Sequence, residues 1–486
     1  MTRVNNIVRD SCAPARPYAS PVPTLPRRRA RLASSLALAL GTAVVLLPGA
    51  PAAARPAGDT LFPQQGNSGY QVRVYDVAMD YQPVTNRATA RVLVRARAAK
   101  TLDSFHLDFS GPRVTEVLVD GVAARHRRTG AHELVVTPAD PVRRGRFTVA
   151  VSWQGEPPEH TDADGSTEGW VRTSDGAVAL GEPVGAMTWL PSNNTPGDKA
   201  RFRYAITVPT GYEVAANGDL VGRDESATST TWRWDARDPM ATYLAMVAIG
   251  QFDVHESTTT SLDGRTIPIW SFTDPTTGSA AEARAALPEI IAFNERLFGP
   301  YPFTSAGLVV DDARVGYALE TQTRAFYPPG AATTSTVVHE VAHQWVGNAV
   351  TLTDWHDIWL AEGFAVYAEW LYAAEHGGPR PGQRFDALYA RPASDDLWSP
   401  APIRFTDSAD LFGEPVYLRG AMTLHALRQR VGDDDFFAIL RAWVRRHDDA
   451  NVRTRDLVRL SERVSGEELS ALFREWLVRD GKPRGY

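Results

Sequence analysis

The 486-residue sequence predicts a multidomain α+β fold. Between about residues 70 and 256, apolar and polar residues alternate in short runs that turn residues separate, which is typical of an antiparallel, β-sandwich-like domain. After about residue 258 the apolar residues recur mainly at the spacing of helices. We therefore expect an N-terminal β domain over residues 55–256 and a second, helix-rich domain over residues 257–486.

The strand signals of the first domain differ in clarity. In the run 89–96, the residues Ala90, Val92, Val94 and Ala96 fall on one face, as the two-residue period of a half-buried strand requires. A loop rich in Pro, Gly and Asp is predicted over residues 155–169. Strands are predicted at residues 71–79, 89–96, 133–137, 146–153, 201–208 and 241–254.

The second domain carries a series of helix signals. A helix that begins near Ser279 is expected to stop at Gly299–Pro300, because Pro does not continue a helix. A threonine or serine among residues 333–335 is expected to cap a helix that runs to about Gly347. Further helices are predicted at about 359–376, 415–431, 434–447, 454–465 and 467–479, a strand at 306–311, and a Pro/Gly-rich connector around one short helix at 377–405.

Residues 1–54 have the pattern of a cleaved secretory signal peptide. Arginines at 27–31 precede an apolar run at 32–47, and small residues follow at 48–54. An uncleaved anchor is the competing interpretation, although the run is short for a membrane span. The arginines leave both the general and the twin-arginine export routes open. We expect a secreted or extracytoplasmic protein without stable membrane insertion after cleavage.

Charge and cysteine content exclude several classes of function. Without residues 1–54 the chain carries 44 basic and 56 acidic side chains, a net charge of −12. Such an acidic balance argues against nucleic acid or an anionic membrane as a partner. The only cysteine, Cys12, lies in the predicted leader, so we expect neither a disulfide nor a cysteine nucleophile in the mature protein.

The strongest chemical signal is the run His-Glu-Val-Ala-His at 339–343, followed after eighteen residues by Glu362. His339 and His343 share one helix face, so both imidazoles can reach one ion. Glu362 completes a His₂Glu set, which leaves one tetrahedral position of a catalytic zinc open for water. Glu340 is placed to accept a proton from that water. A chance match on a surface helix is the alternative, and ligand type alone does not exclude another divalent ion.

The phrases His-Gln-Trp and Trp-Leu-Ala-Glu-Gly-Phe-Ala, which surround these ligands within 338–365, resemble the gluzincin aminopeptidases of the aminopeptidase N family. The run Phe298–Phe303 is similar to the family's turn before the active-site strand. Residues Tyr317–Thr321 stand where the family has its Gly-Ala-Met-Glu-Asn substrate strand, and Tyr417–Gly420 resembles its Tyr-x-Lys-Gly signature. The resemblance covers roughly residues 70–486 and implies a thermolysin-like catalytic domain with one Zn²⁺ per chain.

The resemblance also implies a role for several side chains. Glu340 would be the general base, and the phenol of Tyr417 would stabilise the tetrahedral oxyanion. Glu320, with help from Glu182, would hold the free α-ammonium of a peptide, since carboxylates suit that cation. Ala318 and Leu319 would line the substrate strand. A surface ion pair for Glu320 and simple packing for Tyr417 are the competing interpretations.

Departures from the family pattern bear on specificity. Tyr317 replaces the usual Gly, Leu319 replaces Met and Thr321 replaces Asn, so we expect a changed pocket for the first side chain. Arg419 replaces Lys, which keeps the charge but not the geometry. The chain ends at Tyr486, soon after the catalytic domain is expected to close, and we expect a more open cleft than in relatives with a C-terminal helical domain.

The sequence thus predicts a secreted, zinc-dependent aminopeptidase that acts on peptides with a free N-terminus. A thermolysin-style endopeptidase is the nearest alternative, and epoxide hydrolysis at the same site is another. A catalytically silent peptide-binding module is a third alternative. The sequence leaves the preferred N-terminal residue, the physiological substrate and the oligomeric state open.

Overall fold

The computed structural model describes residues 2–3, 59–278 and 280–484. The predicted cleavage region and the apolar run of the signal peptide therefore lie outside the described residues. Among the helices that are described, none is both long and apolar enough to cross a membrane.

The first part of the chain is built from strands. Their bounds are β1 (Thr2–Arg3), β2 (Tyr70–Gln82), β3 (Arg87–Ala98), β4 (Phe105–Asp108), β5 (Arg113–Val119), β6 (Val122–Ala123), β7 (Arg125–Thr129), β8 (Glu133–Thr137), β9 (Gly145–Gly155), β10 (Glu159–Thr161), β11 (Thr167–Arg172), β12 (Ala177–Leu180), β13 (Ala200–Pro209), β14 (Glu213–Ala216), β15 (Asp219–Glu225), β16 (Ser229–Met240) and β17 (Val247–Gly250).

Eight of these strands form one sheet in the order β15-β16-β13-β2-β3-β9-β5-β6. Buried and exposed residues alternate along β3, which confirms the predicted period. A three-stranded sheet, β4-β8-β7, packs on it through Phe105, whose ring lies 5.4 Å from that of Phe147 on β9. One pair, β13 with β2, is parallel rather than antiparallel. More than a hundred residues connect the two strands, which leaves ample length for the crossover that a parallel pair requires.

A five-stranded sheet, β10-β11-β12-β17-β14, completes this region. The prediction of one strand over 241–254 is wrong in its first half, where Thr242–Leu244 forms a short 3₁₀ helix before β17. The amide of Asn217 explains the break, since it donates to the carbonyl of Leu244 (2.9 Å) and accepts from the N–H of Met246 (2.7 Å). These bonds replace ladder bonds that a continuous strand would form.

The second part combines a small sheet with helices. The sheet runs β18-β19-β20-β22. The bounds are β18 (Asp253–Thr260), β19 (Thr266–Thr273), α1 (Ala281–Phe298), β20 (Ala306–Val310), β21 (Tyr317–Ala318), β22 (Ala325–Tyr327), α2 (Thr334–Ala342), β23 (Thr351–Leu352), α3 (Trp359–Glu375), α4 (Pro381–Tyr389), α5 (Gly420–Val431), α6 (Asp433–His447), β24 (Asn451–Val452), α7 (Thr454–Ser465) and α8 (Ser470–Leu477).

Helix α2 is shorter than predicted, since it ends at Ala342 instead of near Gly347. Gly347 has a φ of +122°, and the N–H of Asn348 reaches back to the carbonyl of His343 (3.0 Å), so the chain widens out of the helix there. The predicted division of the chain at residue 256 stays a prediction, and strand β18 runs across it.

Two buried or half-buried cations join the strand-rich part to the rest of the chain. The Arg324 guanidinium donates to the carbonyls of Ala216 and Gly218, each at 2.7 Å. The Lys199 ammonium donates to the carbonyls of Asn348 and Ala349 just after the α2 helix. Because such bonds satisfy buried carbonyls, they fix the position of the second part against the first.

Candidate metal centre and active site

Three buried side chains converge where helices α2 and α3 meet. Nε2 of His339 lies 3.1 Å from Oε2 of Glu362, and Nε2 of His343 lies 3.5 Å from the same oxygen. All three side chains are fully buried, and Nε2 of His343 has no hydrogen-bond partner among the described residues. The three ligand atoms fall within 4.8 Å of one another, so they fit a single small cation.

The electrostatics of this cluster also favour a cation. Burial disfavours charge on His339, but Glu362 and Glu369 outweigh it and raise the pKa of that imidazole to about 10. For Glu362, burial opposes ionisation, while positive charge nearby, to which His343 and His339 contribute, holds the pKa of its carboxyl well below its usual range. A buried site that attracts positive charge and offers two imidazoles and a carboxylate has the donor set of Zn²⁺.

Hydrogen bonds orient both imidazoles. Thr333 caps α2 by accepting the N–H of Thr336, as predicted for residues 333–335. Nδ1 of His339 lies 2.7 Å from Oε1 of Glu369, and Nδ1 of His343 lies 3.0 Å from the carbonyl of Val346. Donation from each Nδ1–H leaves each Nε2 available to the ion.

Glu369 is a residue that the sequence interpretation missed. Its second oxygen accepts a hydrogen bond from the hydroxyl of Ser335 (2.6 Å), so both carboxylate oxygens are hydrogen-bonded to residues of α2. The available signal was its position seven residues, or two helical turns, after Glu362, which places both carboxylates on one face of α3.

Glu340 lies between the two histidines in sequence and Tyr417 lies more than fifty residues after Glu362, but both are close to the cluster in space. Glu340 is fully buried, and its carboxylate falls within 4.8 Å of ligand atoms of His343 and Glu320. The ring of Tyr417 stacks over that of His339, with centroids 6.2 Å apart. Burial, followed by the charge of Glu362, raises the pKa of Tyr417 well above its usual value, so it is a phenol that can donate a proton to a hydrogen bond.

The backbone around Tyr417 explains its placement. Residues Pro415–Arg419 form a single π-helical turn ahead of α5, where a continuous α-helix was predicted. Gly363 on α3 and Gly420 are in direct backbone contact, and a Cβ on Gly363 would lie only 2.8 Å from the carbonyl carbon of Gly420. Glycine at both positions therefore lets the Tyr417 segment approach the helix that carries Glu362.

Arg419 secures the same turn from behind. Its buried guanidinium donates to the carbonyls of Trp398 (2.7 Å), Trp476 (2.8 Å) and Glu475 (3.2 Å), the last two on α8. The carbonyls at a helix C-terminus lack partners within the helix, and a planar guanidinium can satisfy several at once. This explains Arg at the position where the resembling family has Lys.

The structure brings Glu182 and Glu320 together beside the metal centre. Each is only 1% exposed. Burial and the charge of Glu320 raise the pKa of Glu182 well above its usual value. Oε2 of Glu320 accepts no hydrogen bond from the described residues. Two carboxylates that are buried close to each other favour a cationic ligand.

The backbone at Glu320 is held by two amides that the sequence interpretation did not single out. Asn348 Nδ2 and Gln344 Nε2 donate to its carbonyl at 2.8 Å and 3.3 Å. Both amides belong to the segment that follows His343 in the chain. Their hydrogen bonds therefore fix the backbone at Glu320 relative to the helix that carries the histidines. The His-Gln-Trp phrase contains Gln344, but the sequence did not indicate that this amide binds the backbone of Glu320.

Strand β21 runs through this site and contains Ala318, followed by Leu319, which bridges to Phe326. Both of these predicted substrate-strand residues are fully buried. Thr2–Arg3 pairs antiparallel with Tyr317–Ala318, so the edge of β21 accommodates an extended chain. The Tyr317 side chain is buried and its hydroxyl donates to the carbonyl of Thr167 (2.7 Å), which fills space that the family's Gly would leave open.

Comparisons with known proteins agree with this geometry. The model of the peptidase family M1 domain matches residues 289–476. An M1 zinc metallopeptidase from Deinococcus radiodurans, solved with a Tyr-Ser-Ala substrate, aligns with a TM-score of 0.79 at 30% identity, over 88% of this chain and 100% of that chain. The fold and the site thus define a zinc metallopeptidase of the gluzincin type. The chain belongs to peptidase family M1.

Curated relatives match over a shorter part of their length. Aminopeptidase N from Streptomyces lividans is 28% identical over 361 residues, 64% of this chain and 40% of the relative. Aminopeptidase M1-D from Oryza sativa subsp. japonica is 26% identical over 333 residues, 64% of this chain and 38% of the relative. The chain therefore spans about two fifths of the length of these relatives. The resemblance to the aminopeptidase N family is confirmed.

Proposed function

We propose that the protein is a secreted zinc aminopeptidase that removes single residues from the N-terminus of peptides. The observation that carries the proposal is the buried carboxylate pair Glu182 and Glu320 beside the His339–His343–Glu362 cluster. A metal centre alone serves many hydrolases. A paired carboxylate next to it selects substrates with a positive charge close to the scissile bond.

The proposed mechanism assigns one task to each side chain. His339, His343 and Glu362 would hold Zn²⁺, which when bound would lower the pKa of a water molecule and polarise the scissile carbonyl. The Glu340 carboxylate removes a proton from the attacking water and passes it to the nitrogen of the departing amine. The Tyr417 hydroxyl donates a hydrogen bond to the oxyanion that develops on the carbonyl oxygen.

Glu320 and Glu182 fix the substrate in register. Their carboxylates bind the α-ammonium, which sets the first peptide carbonyl opposite Glu340. The edge of β21 at Ala318 and Leu319 provides backbone groups for an extended peptide, in the way that it pairs with Thr2–Arg3. No room for a preceding residue is expected beyond the carboxylate pair, so the enzyme would act as an exopeptidase.

The relatives support this proposal in two ways. The Deinococcus radiodurans metallopeptidase is described with a tripeptide substrate, and the curated relatives are aminopeptidases. Export by a cleaved signal at residues 1–54 and the division into domains at residue 256 belong to the proposal on sequence grounds alone.

The test uses the purified chain and one peptide, either free or N-acetylated, with and without a chelator. Mass spectrometry follows the products. We expect stepwise loss of N-terminal residues from the free peptide only, abolished by the chelator and restored by zinc. Internal cuts in both peptides would replace the proposal with the endopeptidase alternative. Retained zinc without cleavage would favour a silent peptide-binding protein or a non-peptide substrate.

A further inference from the structure

A second cluster of carboxylates lies outside the catalytic site, at the ends of two neighbouring strands. Strands β19 and β20 are parallel, with Thr273 opposite Val310, so Asp274 and Asp311 follow side by side at their carboxyl ends. Asp175, in the turn between β11 and β12, joins them. One carboxylate oxygen from each of the three lies within 4.8 Å of the others.

Two of these carboxylates are buried and incompletely bonded. Asp274 is 3% exposed and Asp311 is fully buried, and Oδ2 of each accepts no hydrogen bond from the described residues. Their Oδ1 atoms are engaged locally, by Thr276 (2.7 Å) and by the N–H of Asp312 (2.8 Å). Each side chain is thus held in place with one oxygen left for a ligand.

Within the described residues, no arginine, lysine or histidine forms an ion pair with these three aspartates. Burial, together with the charges of Asp312, Asp175 and Asp274, raises the pKa of Asp311 well above its usual value. Buried carboxylates of like charge are costly without a cation between them.

We propose that Asp175, Asp274 and Asp311 bind a calcium ion. The donors are all carboxylate oxygens, which suit a hard cation, and neither nitrogen nor sulfur takes part. Calcium lies about 2.3–2.6 Å from its ligands, so oxygens up to roughly 5 Å apart can share one ion. The three donors come from separate segments of irregular geometry, which calcium tolerates better than magnesium does.

The ion would join two parts of the chain. Asp175 belongs to the turn that leads through β12 to Glu182. Asp274 and Asp311 directly follow β19 and β20, which belong to the sheet β18-β19-β20-β22. A hydrogen bond from the N–H of Ser174 to Asp312 (3.0 Å) already crosses this junction. Calcium would therefore stabilise the segment that carries Glu182 against that sheet.

The test is a binding measurement on the full chain, loaded with one equivalent of zinc and freed of other metals. Equilibrium dialysis against Ca²⁺ with elemental analysis counts bound calcium, and thermal unfolding is followed at the same Ca²⁺ concentrations. We expect one calcium per chain and a Tm that rises with Ca²⁺, since binding to the native state alone stabilises it. Magnesium should need at least about tenfold higher concentration for the same rise.

Variants locate the site. Asp311→Asn and Asp175→Asn should each weaken calcium binding by about tenfold or more, because each removes one charged ligand. Asp224→Asn, at an exposed residue paired with Arg233, is the matched control and should bind as the wild type does. If Asp311→Asn does not fold, Asp175→Asn and the wild-type titration still decide the matter.

Three results would overturn the proposal. No calcium bound at millimolar concentration, with a Tm independent of Ca²⁺, would mean that the carboxyls share protons instead. Equal response to magnesium would reject the assignment to calcium. Undiminished binding by both aspartate variants would place the ion elsewhere.

Discussion

The metal cluster and the carboxylate pair lie side by side but are built in opposite ways. His339, His343 and Glu362 come from a stretch of 24 residues where two packed helices meet, and hydrogen bonds donated to Glu369 and to the carbonyl of Val346 orient the imidazoles. Glu182 and Glu320 come from segments more than a hundred residues apart, and one oxygen of Glu320 has no partner within the described residues.

Under the proposed mechanism, this difference separates the chemical step from substrate selection. A fully supported ligand set holds its geometry before the ion binds, which is what metal binding requires. In the carboxylate pair, Oε2 of Glu320 accepts no hydrogen bond from the described residues, so a cationic ligand would supply the partner that this oxygen lacks. We therefore expect substitutions in the metal cluster to change metal retention, and substitutions in the carboxylate pair to change substrate binding.

The largest expected effect is that of Glu340→Gln, which lies between the two groups. Loss of the proposed proton acceptor should lower kcat by about 10³-fold, while zinc should remain at one per chain because Glu340 is not among the proposed ligands. Peptide turnover and elemental analysis on the same preparation measure both. Loss of zinc from this variant would show that Glu340 helps to retain the metal. It would contradict the separation of metal retention from the chemical step.

An intermediate effect is expected for Glu320→Gln. Removing the charge that we propose binds the α-ammonium should lower kcat/KM for free peptides on the order of 100-fold, mainly through KM, with zinc affinity unchanged. Steady-state kinetics on free peptides tests this. Glu282→Gln, on the exposed first turn of α1, is the control and should behave as the wild type does. A fall in kcat alone would contradict the assignment to substrate binding.

The smallest effect is expected for Glu369→Ala. Without its bond to Nδ1 of His339, the affinity for zinc should fall on the order of tenfold, and KM at saturating zinc should stay the same. Competition with a chromophoric chelator measures the affinity. Glu375→Ala, exposed on the same helix and paired with Arg296, is the control. An unchanged zinc affinity would show that Ser335 and packing suffice to orient the imidazole.

The same contrast explains what the sequence could and could not predict. Local spacing on a helix places His339 and His343 on one face, and the bounds predicted for α3 and α7 agree with the structure to within one residue. The contact between Gly363 and Gly420 and the carbonyls bound by Arg419 depend on how distant helices pack. No local pattern encodes such packing, so neither was predicted.

The parallel pairing of β2 with β13 and the aspartate cluster at the ends of β19 and β20 illustrate the same limit. Each depends on which strands become neighbours, and strand order is a property of the whole sheet. The family resemblance supplied Glu320 and Glu182 where spacing alone did not. It gave no indication of Asp175, Asp274 or Asp311.

Because Arg419 is held by carbonyls of α8, we expect a fixed order in the completion of the site during synthesis. Tyr417 leaves the ribosome some fifty residues before α8, whose carbonyls hold the turn that carries it. Because translation runs from the N-terminus, a nascent chain can form its histidine-bearing helix before the tyrosine is fixed. Under the proposed mechanism, the enzyme would therefore gain its full activity only after α8 has docked.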